Sequence, residues 1–379
     1  MIDLEKYNYT LPEGLIRKQG IEPRDSARLF VYDTATDTVT HTVFSELAHY
    51  IPTGSLMVLN NTKVVPARLF LKKETGGKIE VFVLANEIDL KQWDETVEIP
   101  VLVDRKCLVG WKLYFPDGSY LDVVRQEANK FFVRLCLNSV ATTVEMPVIG
   151  YVNALQDMLE KYGETPIPHY LEDAKATPRV GLEATLYGNE SEIVLRKRYQ
   201  TIFAEDGASV AAPTASLHFT EQVFLDLHAK GVDFAEVTLD VGMGTFAPLK
   251  PEHFELGKLH SEKIYISDEA AQRINQAKDE SRPVIAIGTT AMRTLESCAQ
   301  DGYIRPSEKN TDIFIYPPYH FQVADILMTN FHVPKSSLML LVDAFLHDKQ
   351  AKRSIMDLYA IAIEEGYAFY SFGDSMLIV

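Results

Sequence analysis

The chain has 379 residues, 46% of them hydrophobic, and its 37 basic against 53 acidic residues give a formal net charge of −16. That length can bury a sizeable core, with one large domain and one smaller one as the expected division. The acidic balance excludes a surface coated throughout for nucleic-acid backbone but permits a local basic patch, and no run approaches the roughly 18 apolar residues of a membrane span.

The start, Met1-Ile2-Asp3-Leu4-Glu5-Lys6, lacks the basic-then-apolar layout of a secretion signal, so a cytoplasmic location is expected. From Leu69 to about Val144 short apolar runs are broken by turn residues. Lys78 to Leu84 follows Gly76-Gly77, Trp111 to Phe115 precedes Pro116-Asp117-Gly118, and Phe131 to Leu135 comes later. Alternation bounded in this way predicts a small antiparallel β module, a barrel by expectation. Residues from about Glu172 to Ile193 read as an exposed loop or insertion. From Tyr199 onward strands alternate with helices. Thr220 can cap a helix carrying Phe224 and Leu227 and ended by Gly231, and Val237, Leu239 and Val241 mark a strand. Val284 to Ile287 is a buried-strand run leading through Gly288-Thr289-Thr290 into a helix, and Ser354 to Glu365 is an amphipathic helix stopped at Gly366. The expected architecture is an α/β main domain over 1–68 and 150–379, with an antiparallel β-barrel inserted at 69–149.

Cys107, Cys136 and Cys298 lie too far apart to suggest a disulfide framework or a metal site. Five segments could carry chemistry. The strand–Gly288-Thr289-Thr290–helix junction offers free backbone N–H groups and two hydroxyls, with Arg293 on the same face as Thr290; a plain helix cap with Arg293 paired to a core carboxylate is the alternative. In Ala211 to Thr220, small residues surround His218, a proton carrier near neutral pH or else a satisfied structural histidine. Val241 to Phe246 follows a strand end, where α/β sheets place ligands. His260-Ser261-Glu262 is an acid/base pair or a polar strand start, and Asn60 to Arg68 is a polar, basic stretch or a hydrogen-bonded turn. Lys72-Lys73, Arg105-Lys106 and Arg196-Lys197-Arg198 are candidate patch residues for nucleic acid, or solvated surface charge.

Taken in order, these segments resemble the S-adenosylmethionine:tRNA ribosyltransferase-isomerases of queuosine biosynthesis. The resemblance rests on Leu11-Pro12-Glu13 with Glu22-Pro23-Arg24-Asp25, Asn61 to Leu69, Gly163 to Tyr170, Tyr199-Gln200-Thr201 and Val210 to Glu221. It continues through Val241 to Phe246, His260-Ser261-Glu262, Gly288 to Glu296, Thr311 to Pro317, Thr329 to His332 with Pro334-Lys335-Ser336, and Glu364-Glu365-Gly366 with Gly373-Asp374. It therefore runs nearly end to end.

The resemblance implies that S-adenosylmethionine donates its ribosyl part to 7-aminomethyl-7-deazaguanine at the wobble position of tRNA, giving epoxyqueuosine and releasing adenine and methionine. It implies no metal and no redox cofactor, S-adenosylmethionine being a substrate. The sulfonium acidifies the ribose 5′-carbon, so a base can take a proton there, and adenine leaves with a proton from a donor. His218 and Glu262 are the expected catalytic pair, and Asn61, Thr62, Arg68, Thr289, Thr290 and Arg293 the expected substrate-binding residues. The sequence departs from the family pattern at Asn61 and Lys63, where Asp and Arg are expected, and at Asp240 and Ala247, where His and Arg are expected. A paralogue using the same donor on another acceptor and a non-catalytic RNA-binding relative are the rival readings.

Overall fold

The structure, a computed structural model, describes residues 2–90, 93, 94, 96–138, 154–168, 190–246 and 248–379. Ala247, His169-Tyr170 of the family motif and 172–189 of the expected loop lie outside the described residues.

The chain divides into two compact units, one of residues 1–63, 199–207 and 212–379, the other of 64–198 and 208–211. The first contains a nine-stranded mixed sheet. From edge to edge its strands are Ser307–Ile313, Lys258–Ile266, Asp233–Leu239, Leu56–Asn60, Val284–Ile287, Ile326–Asn330, Ser375–Ile378, Arg28–Asp33 and Thr38–Val43. The four from Asp233–Leu239 to Ile326–Asn330 are mutually parallel. Every residue of Leu56–Asn60, Val284–Ile287 and Ile326–Asn330 is buried, as expected of strands covered on both faces.

On one side Met57, Leu59, Ile285, Ile287, Met328 and Leu377 pack with Phe219, Val223 and Leu227. The last two lie on the helix Glu221–Ala229, whose start is fixed by Thr220 Oγ1 accepting from Val223 N at 3.3 Å. Burying each such side chain stabilises the fold by roughly 1.5–3 kcal/mol.

The second unit is built on antiparallel strands in the order Gly163–Glu164, Arg68–Lys73, Lys78–Val83, Ile99–Val103, Lys130–Cys136, Tyr120–Glu127 and Lys112–Tyr114. Strand Arg68–Lys73 also pairs with Lys112–Tyr114, Lys72 opposite Tyr114 and Lys73 opposite Leu113. Its core gathers Leu69, Leu71, Ile79, Val81, Leu113, Leu121 and Val133.

The compact units divide at other points than the expected 149/150 boundary. The helix Ala154–Tyr162 presents Leu155, Met158 and Leu159 to this second core, and Gly163–Glu164 pairs with Leu69 and Arg68, which ties the segment to the β-rich unit. Ile193, expected in a loop, lies in the helix Glu190–Arg198. Among the described residues no helix is long and apolar enough to cross a membrane.

Candidate active site

In an open parallel sheet the strand carboxyl ends present unpaired backbone groups and leave a crevice for ligands. Four of the segments singled out in the sequence fall there. Asn61-Thr62 leaves Leu56–Asn60, Asp240-Val241-Gly242 leaves Asp233–Leu239, Gly288-Thr289-Thr290 leaves Val284–Ile287, and Phe331-His332 leaves Ile326–Asn330. Thr214 Oγ1 donates to Asn330 Oδ1 at 2.9 Å, which brings the Pro213 to His218 segment to the same end.

The centre is an ion pair. Arg293, 5% exposed on the helix Gly288–Cys298, donates through Nη1 to Oε2 of Glu262, 3% exposed on Lys258–Ile266. Glu262 Oε1 accepts from Gly242 N at 3.0 Å. Both carboxylate oxygens are therefore used, and Glu262 holds Arg293 in place. Glu262, expected to carry a proton, is engaged here by Arg293 and by the Gly242 N–H. Its sequence neighbour His260 is exposed, because the ladder to Ser307–Ile313 loses register between Lys258 and Glu262. The helix itself begins on Gly288 at φ 88° with no side-chain cap, so its first N–H groups are left for other partners.

Thr62 Oγ1 donates to Asp240 Oδ1 at 2.7 Å, both residues being buried. Gly207, at φ 95°, passes so close that a β-carbon there would sit 2.3 Å from Asp240 Oδ1 and 2.7 Å from Thr62 Oγ1. Only glycine fits that crossing. Asn60, taken with its neighbours as part of a turn, locks the two strand ends together instead: Nδ2 donates to Leu239 O at 3.1 Å, and Oδ1 accepts from Leu239 N at 3.0 Å and Thr62 N at 3.2 Å. The sequence signal was weak, an asparagine ending an apolar strand. Asn61 does not join the buried set. Its amide donates to Glu236 and accepts from Thr238 Oγ1 at the strand edge.

His218 is 4% exposed, with Nδ1 at 3.2 Å from Arg24 O and Nε2 at 2.8 Å from Gly373 O. Burial pushes its pKa below the usual value, opposed by the carbonyl at Gly373. The ring, expected to carry a proton, lies between two backbone carbonyls of distant segments, and in its neutral form it donates to one of them. Arg68 belongs to the second unit, buried with Nε 3.2 Å from Glu80 Oε1. Arg196 is occupied by Glu160 and Glu192 and Arg105 by Asp104, so neither is a spare cation.

A mixed α/β sheet with a buried Arg–Glu pair and hydroxyls at the ends of its parallel strands has the arrangement in which open α/β sheets place ligands. Sequence comparison then gives the family. The profile described as "Queuosine biosynthesis protein" matches residues 4–378, and the chain belongs to that family. Curated relatives named S-adenosylmethionine:tRNA ribosyltransferase-isomerase include those of Carboxydothermus hydrogenoformans, 39% identical over 377 residues, and Desulfitobacterium hafniense, 39% over 378; each alignment covers 99% of both chains. A crystal structure titled S-adenosylmethionine tRNA ribosyltransferase from Thermotoga maritima is 27% identical, with TM-score 0.50 over 99% of this chain and 100% of that one.

Proposed function

We propose that this protein is a ribosyltransferase-isomerase that moves the ribosyl part of S-adenosylmethionine onto 7-aminomethyl-7-deazaguanine in tRNA, in the cytoplasm and with no metal or redox cofactor. The observation that carries the reading is the buried Arg293–Glu262 pair at the strand ends of a chain 39% identical, end to end, to relatives of that name. In the reaction a base removes a proton from the 5′-carbon beside the sulfonium, and the electron pair left there drives a rearrangement of the ribose ring in which adenine takes the C–N electron pair and leaves protonated. The acceptor amine then forms the new C–N bond as methionine departs with the C–S electron pair. Thr62, Thr289, Thr290 and Arg293 bind the donor, with Glu262 and Asp240 around them.

For the second unit we read a six-stranded closed barrel. The supporting feature is that Arg68–Lys73 pairs with Lys78–Val83 on one side and with Lys112–Tyr114 on the other.

The decisive assay is chromatographic detection of adenine with tRNA carrying the deazaguanine precursor, with fully modified tRNA, and with none. Release only with the precursor tRNA is expected. Equal release in all three, or none in any while S-adenosylmethionine still binds, would overturn the acceptor and favour the paralogue.

The tRNA surface is expected where Lys72-Lys73 and Arg105-Lys106 converge. Lys73 Nζ donates to Lys106 O at 2.7 Å and lies 5.0 Å from the Trp111 ring, while Lys72 and Lys106 are exposed. Replacing both Lys72 and Lys106 by Glu should weaken tRNA binding about 10-fold at moderate salt and flatten the salt dependence by about two phosphate contacts. Filter binding across a salt series measures this, and an unchanged slope would place the tRNA elsewhere.

A further inference from the structure

S-adenosylmethionine carries three charged groups, and the strand-end site treats them differently. Three side-chain atoms there are buried with no hydrogen-bond partner among the described residues: Thr290 Oγ1, Arg293 Nε and Ser216 Oγ. Unpaired buried donors are costly, and folded chains retain them chiefly where something else completes them. They share one region. Thr290 and Arg293 are three apart on a helix and so share a face. A β-carbon at Gly288 would lie 3.6 Å from Thr290 Oγ1 and 3.5 Å from Ala215 Cβ, so the turn containing Ser216 comes up against the start of the helix. Thr290 and Arg293 thus stand on the first turns of an eleven-residue helix with uncapped N–H groups, and the turn carrying Ser216 packs against its start.

Charge selects the ligand group. Arg293 repels a sulfonium or an ammonium and attracts an anion. A doubly charged phosphate is a poorer fit than a singly charged carboxylate, because Glu262 already offsets Arg293 and Asp240 lies one ladder step away, its N donating to Lys263 O at 2.9 Å. The formal side-chain charges of Arg293, Glu262 and Asp240 sum to −1 (+1 −1 −1). S-adenosylmethionine, with one carboxylate, one ammonium and one sulfonium, has the complementary charge. A carboxylate at Arg293 leaves the sulfonium end clear of the guanidinium.

Resting on the donor assigned above, we infer that the first turns of Gly288–Cys298, with Thr290, Arg293 and Ser216, form a subsite for the α-carboxylate of the methionine part of S-adenosylmethionine. The subsite orients the donor by its non-reacting end.

The test is calorimetric titration of the full chain, wild type and Thr290→Val, with S-adenosylmethionine and with its decarboxylated analogue. Thermal melts without ligand accompany the titrations. Wild type should bind S-adenosylmethionine at least about 10-fold more tightly, although bulk charge favours the analogue, which has lost its only anion. Thr290→Val removes an unpaired buried hydroxyl, so the free protein should melt at the same temperature or higher. Its affinity for S-adenosylmethionine should nevertheless fall about 5-fold, with affinity for the analogue unchanged. Equal wild-type affinities for the two compounds, or a variant weakened equally toward both, overturn the subsite and leave the donor assignment standing. A wild type that binds neither compound overturns the donor assignment and the subsite with it.

Discussion

Arg293→Ala is expected to abolish adenine release and to lower unfolding free energy by about 3–5 kcal/mol, the two losses arriving together. Arg293 and Glu262 are 5% and 3% exposed, so removing the guanidinium leaves a carboxylate out of water with the Gly242 N–H as a remaining partner. Breaking such a pair costs far more than replacing it whole, because the cost is that of a stranded charge. A double variant, Arg293→Met with Glu262→Leu, strands no charge and only the Gly242 N–H, and should recover much of the stability. It should recover none of the turnover, because the group facing the donor is still missing. Denaturant unfolding and the adenine assay on the three proteins separate these effects. Turnover preserved in Arg293→Ala would remove Arg293 from the site, and a double variant as unstable as the single would show that the loss is not one of stranded charge.

What the sequence made legible was local. Thr220 capping, the stop at Gly231 (φ 76°), the buried run Val284–Ile287 and the stop at Gly366 (φ 71°) depend on residues within a turn of one another, and each stands as expected. The attachment of 154–164 to the β-rich unit was not legible, because it is made by a two-residue ladder and apolar contacts that carry no local pattern. The site was legible as a set of segments but not as a set of bonds. Glu262 and Arg293 were chosen for different roles, and only folding across 31 positions shows that they belong to each other. The surroundings of His218 were illegible for the same reason. Its carbonyl partners are 194 and 155 residues away, and nothing near it in the chain announces them.

The second large effect concerns acid. His332 is held by the sheet end and the Ile355–Glu364 helix, with Nε2 at 3.2 Å from Thr329 Oγ1 and Nδ1 at 3.3 Å from Tyr359 Oη. Tyr9 donates to its carbonyl oxygen. Burial pulls its pKa down from 6.5 to about 3, so the folded protein keeps the ring neutral while the unfolded chain protonates it near the ordinary value. The unfolded state therefore binds more protons between those limits, and stability is full above about pH 6.5 and falls as the pH drops. One such histidine removes about 2 kcal/mol between pH 6.5 and pH 5, and His218, lowered for the same reason, acts in the same direction. The measurement is unfolding free energy at pH 7 and pH 5 for wild type and His332→Gln, whose amide cannot titrate. The carboxylates common to both proteins cancel in the comparison, whatever the substitution costs at pH 7. Wild type should lose about 2 kcal/mol more than the variant on acidification. Equal losses would mean that the imidazole takes up its proton in the folded state, with Thr329 and Tyr359 rearranged around it.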